Sequence, residues 1–176
     1  MARLQVLVAP DPRLEIVSEP VDSVDKSVQK IVDDLIETMR AENGAGIAAP
    51  QVGISKRIFL LDISSYMPEI TDLFVVINPV ITYASPETWT TTEGCLSFPG
   101  IGRIPIERPQ AIKMEYLDYH GNKKEMTAED WLARGLLHEL DHLNGIPFYK
   151  NATHMQLEAA RKRRNKVTRL KKRISK

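Results

Sequence analysis

The stretch Thr127-Ala-Glu-Asp-Trp131-Leu-Ala-Arg-Gly135-Leu-Leu-His138-Glu139-Leu-Asp141-His142-Leu143-Asn-Gly145-Ile-Pro147 decides how the chain is read. Thr127 is placed to cap a helix, with Asp130 three residues on as a weak capping box. Gly145 followed by Pro147 stops that helix. From Trp131 to Leu143 it is apolar on nearly every face, the mark of an interior helix. His138 and His142 are four apart and so share one helix face. Their imidazoles can meet on one metal ion, with Glu139 beside them to take a proton from an attacking water. Two imidazoles and two carboxylates on a helix otherwise built for the core are costly unless they serve such a site. A metal-dependent hydrolase is the expectation.

Working outward, Asp25 to Arg40 carries Val28, Ile31, Val32, Leu35, Ile36 and Met39 at three-and-four spacing, an amphipathic helix ending near Gly44. Arg57 to Ile63 and Leu73 to Thr82 are short, β-branched and apolar, and read as buried strands. Ala111 to Asp118 alternates, and His120-Gly121-Asn122 turns it into a paired strand. A last helix is expected from about His154 into the C-terminal region. This order fits an α+β fold, antiparallel sheets wrapped around the buried helix that carries the two histidines, with an N-terminal and a C-terminal helix.

At 176 residues and 43% hydrophobic the chain suits one domain over 1–176. Of its 24 Lys and Arg, ten fall in 161–176, which hold no acid. The first 160 residues therefore set fourteen cations against 23 Asp and Glu, a net charge of −9. The short apolar run Leu4 to Ala9 stops at Pro10 and lacks a signal-peptide cleavage pattern, and no stretch is long and apolar enough for a spanning helix. No membrane association is expected. The single cysteine, Cys95, excludes an internal disulfide and suits a reducing compartment.

The third ligand separates hydrolase classes. A protease class with a third His six residues after the second is excluded, because position 148 is Phe. A class using a downstream Glu leaves Glu158 in play. Cys95, in Glu93-Gly94-Cys95-Leu96-Ser97, is the better candidate, since Gly94 lets backbone and thiolate approach a metal. A Cys-His-His set with one open position suits a catalytic ion. Gly44-Ala-Gly46-Ile-Ala-Ala-Pro50-Gln51 matches the dinucleotide fingerprint as a pattern. A helix precedes it, however, and Pro50 stands where a helix should be running, so no nucleotide cofactor is expected. The loop instead suits backbone packed against a substrate, with Gln51 as a side-chain donor.

In this order the three blocks, Gly44 to Gln51, Glu93 to Ser97 and His138 to His142, resemble the signature motifs of the peptide deformylase family. Its members remove the formyl group from the N-terminal methionine of new bacterial and organellar proteins. The resemblance implies that Cys95, His138 and His142 bind the metal, that Glu139 is base and then acid, and that the Gln51 side chain and the Leu96 N–H stabilise the oxyanion. It implies ferrous iron, with zinc, nickel or cobalt as substitutes, and a Glu93–Arg108 pair bracing the cysteine loop. Gly46, Gly94, Trp131 and Gly135 are expected to border the substrate. Partners would be formyl-methionyl N-termini of nascent peptides; the basic run Arg161 to Lys176 reads equally as a contact for ribosomal RNA or as a frayed, solvated end. The location would be bacterial cytoplasm or an organellar matrix. Two positions depart from the pattern: Leu137 replaces a common Gln, and Gly135 a larger apolar residue. Gly135 is expected to leave open space beside the metal, a roomier methionine pocket bounded by Trp131.

Overall fold

The computed structural model describes residues 2–99 and 102–174 and shows antiparallel sheets with three helices, the third at the C-terminal end. Helix α1 (Lys26–Ala41) starts at Asp25, whose carboxylate accepts from the N–H groups of Ser27 and Val28. Five antiparallel strands follow the order β1 (Gly46–Ala48), β2 (Ile58–Leu61), β3 (Phe74–Ala84), β6 (Ala111–Leu117) and β7 (Lys123–Glu129). A separate hairpin pairs β4 (Thr88–Glu93) with β5 (Ile104–Pro109). Helix α2 (Asp130–Leu143) packs against β1, β2, β6 and β7 of the larger sheet and against β5 of the hairpin.

Strand β2 is apolar at every position because both of its faces are covered. Phe59 and Leu61 join a cluster with Val76, Met114, Leu136 and Leu140 under α2, whereas Ile58 and Leu60 face Val32, Leu35 and Met39 of α1. A third cluster, with Phe98, Ile104, Ile106 and Phe148, seats Leu157 and Ala160 of α3 (His154–Ile174) against the hairpin. Ser175 and Lys176, the end of the basic tail, lie outside the described residues, as do the side chains of Arg164 and of 167–174.

The entry to α2 differs from the expected one. Thr127 does not cap it: it pairs with Lys113 inside β7, which runs without a loop to the helix. Glu129 occupies the cap position with no side-chain bond, and Asp130 makes the corner at φ 50°, its N–H bonded to Gln110 O. Full pairing with β6 continues as far as Glu129, so no turn remains for a cap. The exit matches expectation: Ile146 N–H donates to Asp141 O and Gly145 N–H to His142 O, with Gly145 at φ 65°. A side chain at Gly145 would also fall 2.5 Å from Glu15 O.

Candidate active site

The strand-to-helix corner and the hairpin bring the three motifs to one cleft of about 380 Å³, bordered by Gly46, Cys95, Leu96, Trp131, His138 and Glu139 among others. Ligand atoms of Cys95, His138 and His142 all lie within 4.8 Å of one another, and Cys95 Sγ is 3.1 Å from His142 Nε2. Glu158, the alternative third ligand, stands on α3 and pairs with Arg161. His138 Nδ1 is held by Glu93 Oε2 at 2.8 Å, which leaves its Nε2 to a metal. The donor set is therefore one sulfur and two nitrogens, converged and oriented, with a cleft on the open side.

Electrostatics agree with a cation there. Burial opposes charge on His138, yet Cys95, Glu93 and Glu139 raise it well above the ordinary imidazole range. Burial, with the positive charge of His138 and Arg108, pushes His142 well below that range. Anionic surroundings that hold a proton on His138 would hold a divalent ion in its place, while His142 is already a neutral donor.

Glu139 is 5% exposed, and its Oε2 makes no hydrogen bond among the described residues. Burial raises its carboxyl to about 7, the range that suits a group which must both accept and return a proton. Gly46 makes room for it: a Cβ there would collide with Glu139 Oε1 and stand 2.8 Å from Cδ. Gly44 does the same for Leu96, whose Cδ1 would be 2.9 Å away. Gly94 has no such duty. Its Cβ would meet only Arg103 Cγ, at an ordinary 3.4 Å, so the structure gives no steric reason for that glycine.

Gln51 is oriented by its own loop. Its Oε1 accepts from Ala48 N–H at 2.9 Å, so its amide nitrogen turns to Ser97 Oγ at 3.0 Å and Cys95 Sγ at 3.4 Å. The glycine loop and the cysteine loop are thus joined at the site, and Ser97 is a partner that its sequence gave no sign of.

Behind Cys95, His138 and His142, Glu93 is the hub. It accepts two bonds from Arg108, at 2.6 and 2.9 Å, one from Arg134 at 2.5 Å, and the His138 contact. Burial pushes this carboxyl up, but the bonds from His138 and Arg108 dominate and hold it at about 2. Arg108 also reaches Asp141 at 2.9 Å. Arg134, 3% exposed, further donates to Ile106 O and Trp89 O and lies over the Trp89 ring. The sequence did carry a signal for Arg134, a cation on a helix otherwise apolar, though nothing local named its partners.

Trp131 borders the cleft between Tyr66, stacked at 5.0 Å, and Trp89, edge-on at 5.0 Å. Gly135 also borders it, but the expected open space is absent. Leu61 fills it, with Cδ1 and Cδ2 2.8 and 2.9 Å from where a Cβ would stand. The missing side chain is replaced from the neighbouring strand, as close packing of an interior demands.

The polypeptide deformylase family model matches residues 3–158. The peptide deformylase of Orientia tsutsugamushi (strain Ikeda) is 42% identical over 169 residues, covering 91% of this chain and 92% of the relative. The crystal structure of the Ehrlichia chaffeensis peptide deformylase with actinonin superimposes with a TM-score of 0.85 at 42% identity, over 94% of this chain and 98% of the other. A Met-Ala-Ser-bound class I type b peptide deformylase from Acinetobacter baumannii gives 0.79 at 34% identity, over 85% and 98%. A family model spanning the three motifs, relatives similar along nearly their whole length and a shared fold have one reading: this chain belongs to the polypeptide deformylase family, hydrolases of protein biosynthesis.

Proposed function

We propose that the cleft binds the formylated N-terminal methionine of newly made polypeptides and hydrolyses the formyl C–N bond, releasing formate and a free amine. The observation that carries this is the convergence of Cys95, His138 and His142, together with a buried Glu139 whose Oε2 has no hydrogen-bond partner among the described residues. Cys95, His138 and His142 would hold one metal ion, ferrous iron being expected, with zinc, nickel or cobalt compatible with the same mixed donor set. When bound, the ion polarises the formyl carbonyl and acidifies water at the site.

The chain's own residues do the rest. Glu139 Oε2 takes the proton of the attacking water and returns it to the departing nitrogen, so that one carboxyl serves both halves of the reaction. Gln51 Nε2–H and the Leu96 N–H donate to the oxygen that becomes negative as the carbon turns tetrahedral. Glu93 fixes His138 through Nδ1, and Arg108 and Arg134 keep Glu93 ionised. The apolar side of the cleft, with Trp131 and Gly135, takes the methionine side chain. Gly46 and Gly94 border its backbone. Capture of Met-Ala-Ser by the Acinetobacter relative supports a peptide with N-terminal methionine as product.

Among the described residues no helix is long and apolar enough to cross a membrane. Bacterial relatives support the cytoplasm as the place of action. Exposed Arg161, Lys162, Arg163 and Lys166 on α3 support ribosomal RNA as a partner. Formate release from formyl-Met-Ala-Ser by iron-loaded protein prepared without oxygen tests the reaction. It should appear with the parent and vanish with Glu139→Ala. Peptide-bond cleavage without formate, with metal retained in Cys95→Ala, would instead point to an endopeptidase.

A further inference from the structure

We propose that Leu61, leaning on Gly135, sets the width of the apolar end of the cleft and thereby the range of first-residue side chains accepted. This rests on the cleft being the substrate site. Its lining joins Cys95, His138 and Glu139 to an apolar set, Leu61, Ile63, Tyr66, Trp131 and Gly135. That apolar set is the part of the lining that suits an apolar side chain attached next to the reacting amide.

Two features make Leu61 the wall that decides. A Cβ on residue 135 would stand 2.8 and 2.9 Å from both Leu61 methyls, so side chains at 61 and 135 compete for one volume, and in this chain Leu61 holds all of it. Its backbone has no freedom to withdraw, because β2 is paired on both sides, Leu61 opposite Gly46 in β1 and Phe74 in β3. Leu61 is 2% exposed and belongs to the close-packed cluster under α2 that includes Phe59, Val76 and Leu136. A methyl group added at 135 therefore drives the Leu61 methyls toward the cleft. Trp131, which lines the same cleft, is held by ring contacts with Tyr66 and Trp89.

The test is steady-state formate release from formyl-Xaa-Ala-Ser peptides, with Xaa as Ala, Met or Phe, by the metal-loaded full chain. Gly135→Ala should lower the formyl-Met to formyl-Ala ratio of kcat/KM by about tenfold, the scale of one methylene in an apolar pocket, mainly through KM. Adding Leu61→Ala to Gly135→Ala should restore the ratio, a coupling expected only of residues that share a volume. Leu61→Ala alone should raise formyl-Phe relative to formyl-Met by about tenfold, with Leu61→Val, which disturbs the core less, giving a smaller rise. Losses independent of side-chain size, or a double variant no better than Gly135→Ala, overturn the proposal. If Trp131→Ala changes the preference and the 61/135 pair does not, this proposal falls while the cleft remains the substrate site. If none of the three positions changes it, the cleft reading falls too.

Discussion

Gly46→Ala separates the chemistry from the fold. The added Cβ would collide with Glu139 Oε1 and lie 2.8 Å from Cδ and 3.2 Å from Cγ, against 3.4 Å or more for an ordinary contact. The carboxylate must therefore retreat by roughly 1 Å, and displacement on that scale at a reacting group costs on the order of 100-fold in rate, about 3 kcal/mol of barrier. Stability should respond differently. Gly46 is not among the residues at positive φ, so alanine fits the strand conformation, and the gain of about 0.4–1 kcal/mol from a stiffer unfolded chain offsets part of the roughly 1–3 kcal/mol that the crowding costs. Expected, then, are a kcat about 100-fold lower in the formate assay, a thermal midpoint lowered by no more than roughly 2–4 °C, and full metal content, since the three nearest atoms to the added Cβ all belong to Glu139. A kcat within about threefold of the parent would refute the reasoning that the carboxylate is held by contact with Gly46. So would a loss explained entirely by unfolding or metal loss.

Three further outcomes follow from the same geometry. Glu139→Gln keeps the shape but removes the proton acceptor, so kcat should fall by about 10²–10⁴ with metal content intact by elemental analysis; retention of activity would remove Glu139 from the reaction. Arg134→Met strips Glu93 of one cation and removes a donor from Ile106 O and Trp89 O. It should cost about 3–5 kcal/mol by urea titration, and a loss under about 1 kcal/mol would show that Arg108 alone suffices. In metal-free protein, Glu93 at about 2 lies below its ordinary 4.5, so its stabilisation is complete above 4.5 and fades as pH falls toward 2, on the order of 3 kcal/mol in all. Glu139, raised to about 7, acts with opposite sign: its contribution is favourable below 4.5 and is lost as pH rises through 7. Urea midpoints from pH 3 to 8 should show the acid limb flattened in Glu93→Gln and the neutral limb flattened in Glu139→Gln; unaltered limbs would contradict the assignment.

Much of the site was legible because its chemistry is local. His138 and His142 meet on one face through helical spacing alone, and the Gly145 exit follows from a backbone conformation that glycine adopts freely. The α1 face and the apolar run of β2 were likewise visible as periodicity. The hairpin strands β4 and β5 escaped notice. Thr88–Glu93 carries only one large apolar residue, Trp89, and β5 is interrupted by Pro105, so neither displays a strand's pattern strongly. Thr127 misled for a related reason: a residue good at capping is also β-branched, and pairing with β6 won.

By itself, then, the sequence determined the helix that sets His138 and His142 on one face, because that depends on neighbours within a turn, and the order of the three motifs along the chain. Tertiary structure alone decided what surrounds them. Glu93 and Arg134 are 41 residues apart and meet only when the hairpin closes on α2. Leu61 reaches Gly135 because β2 passes beneath the helix, turning an apparent vacancy into a packed wall. Burial is a property of the assembled fold, and burial is what raises Glu139 to about 7 and makes an unpaired charge too costly to leave without a partner.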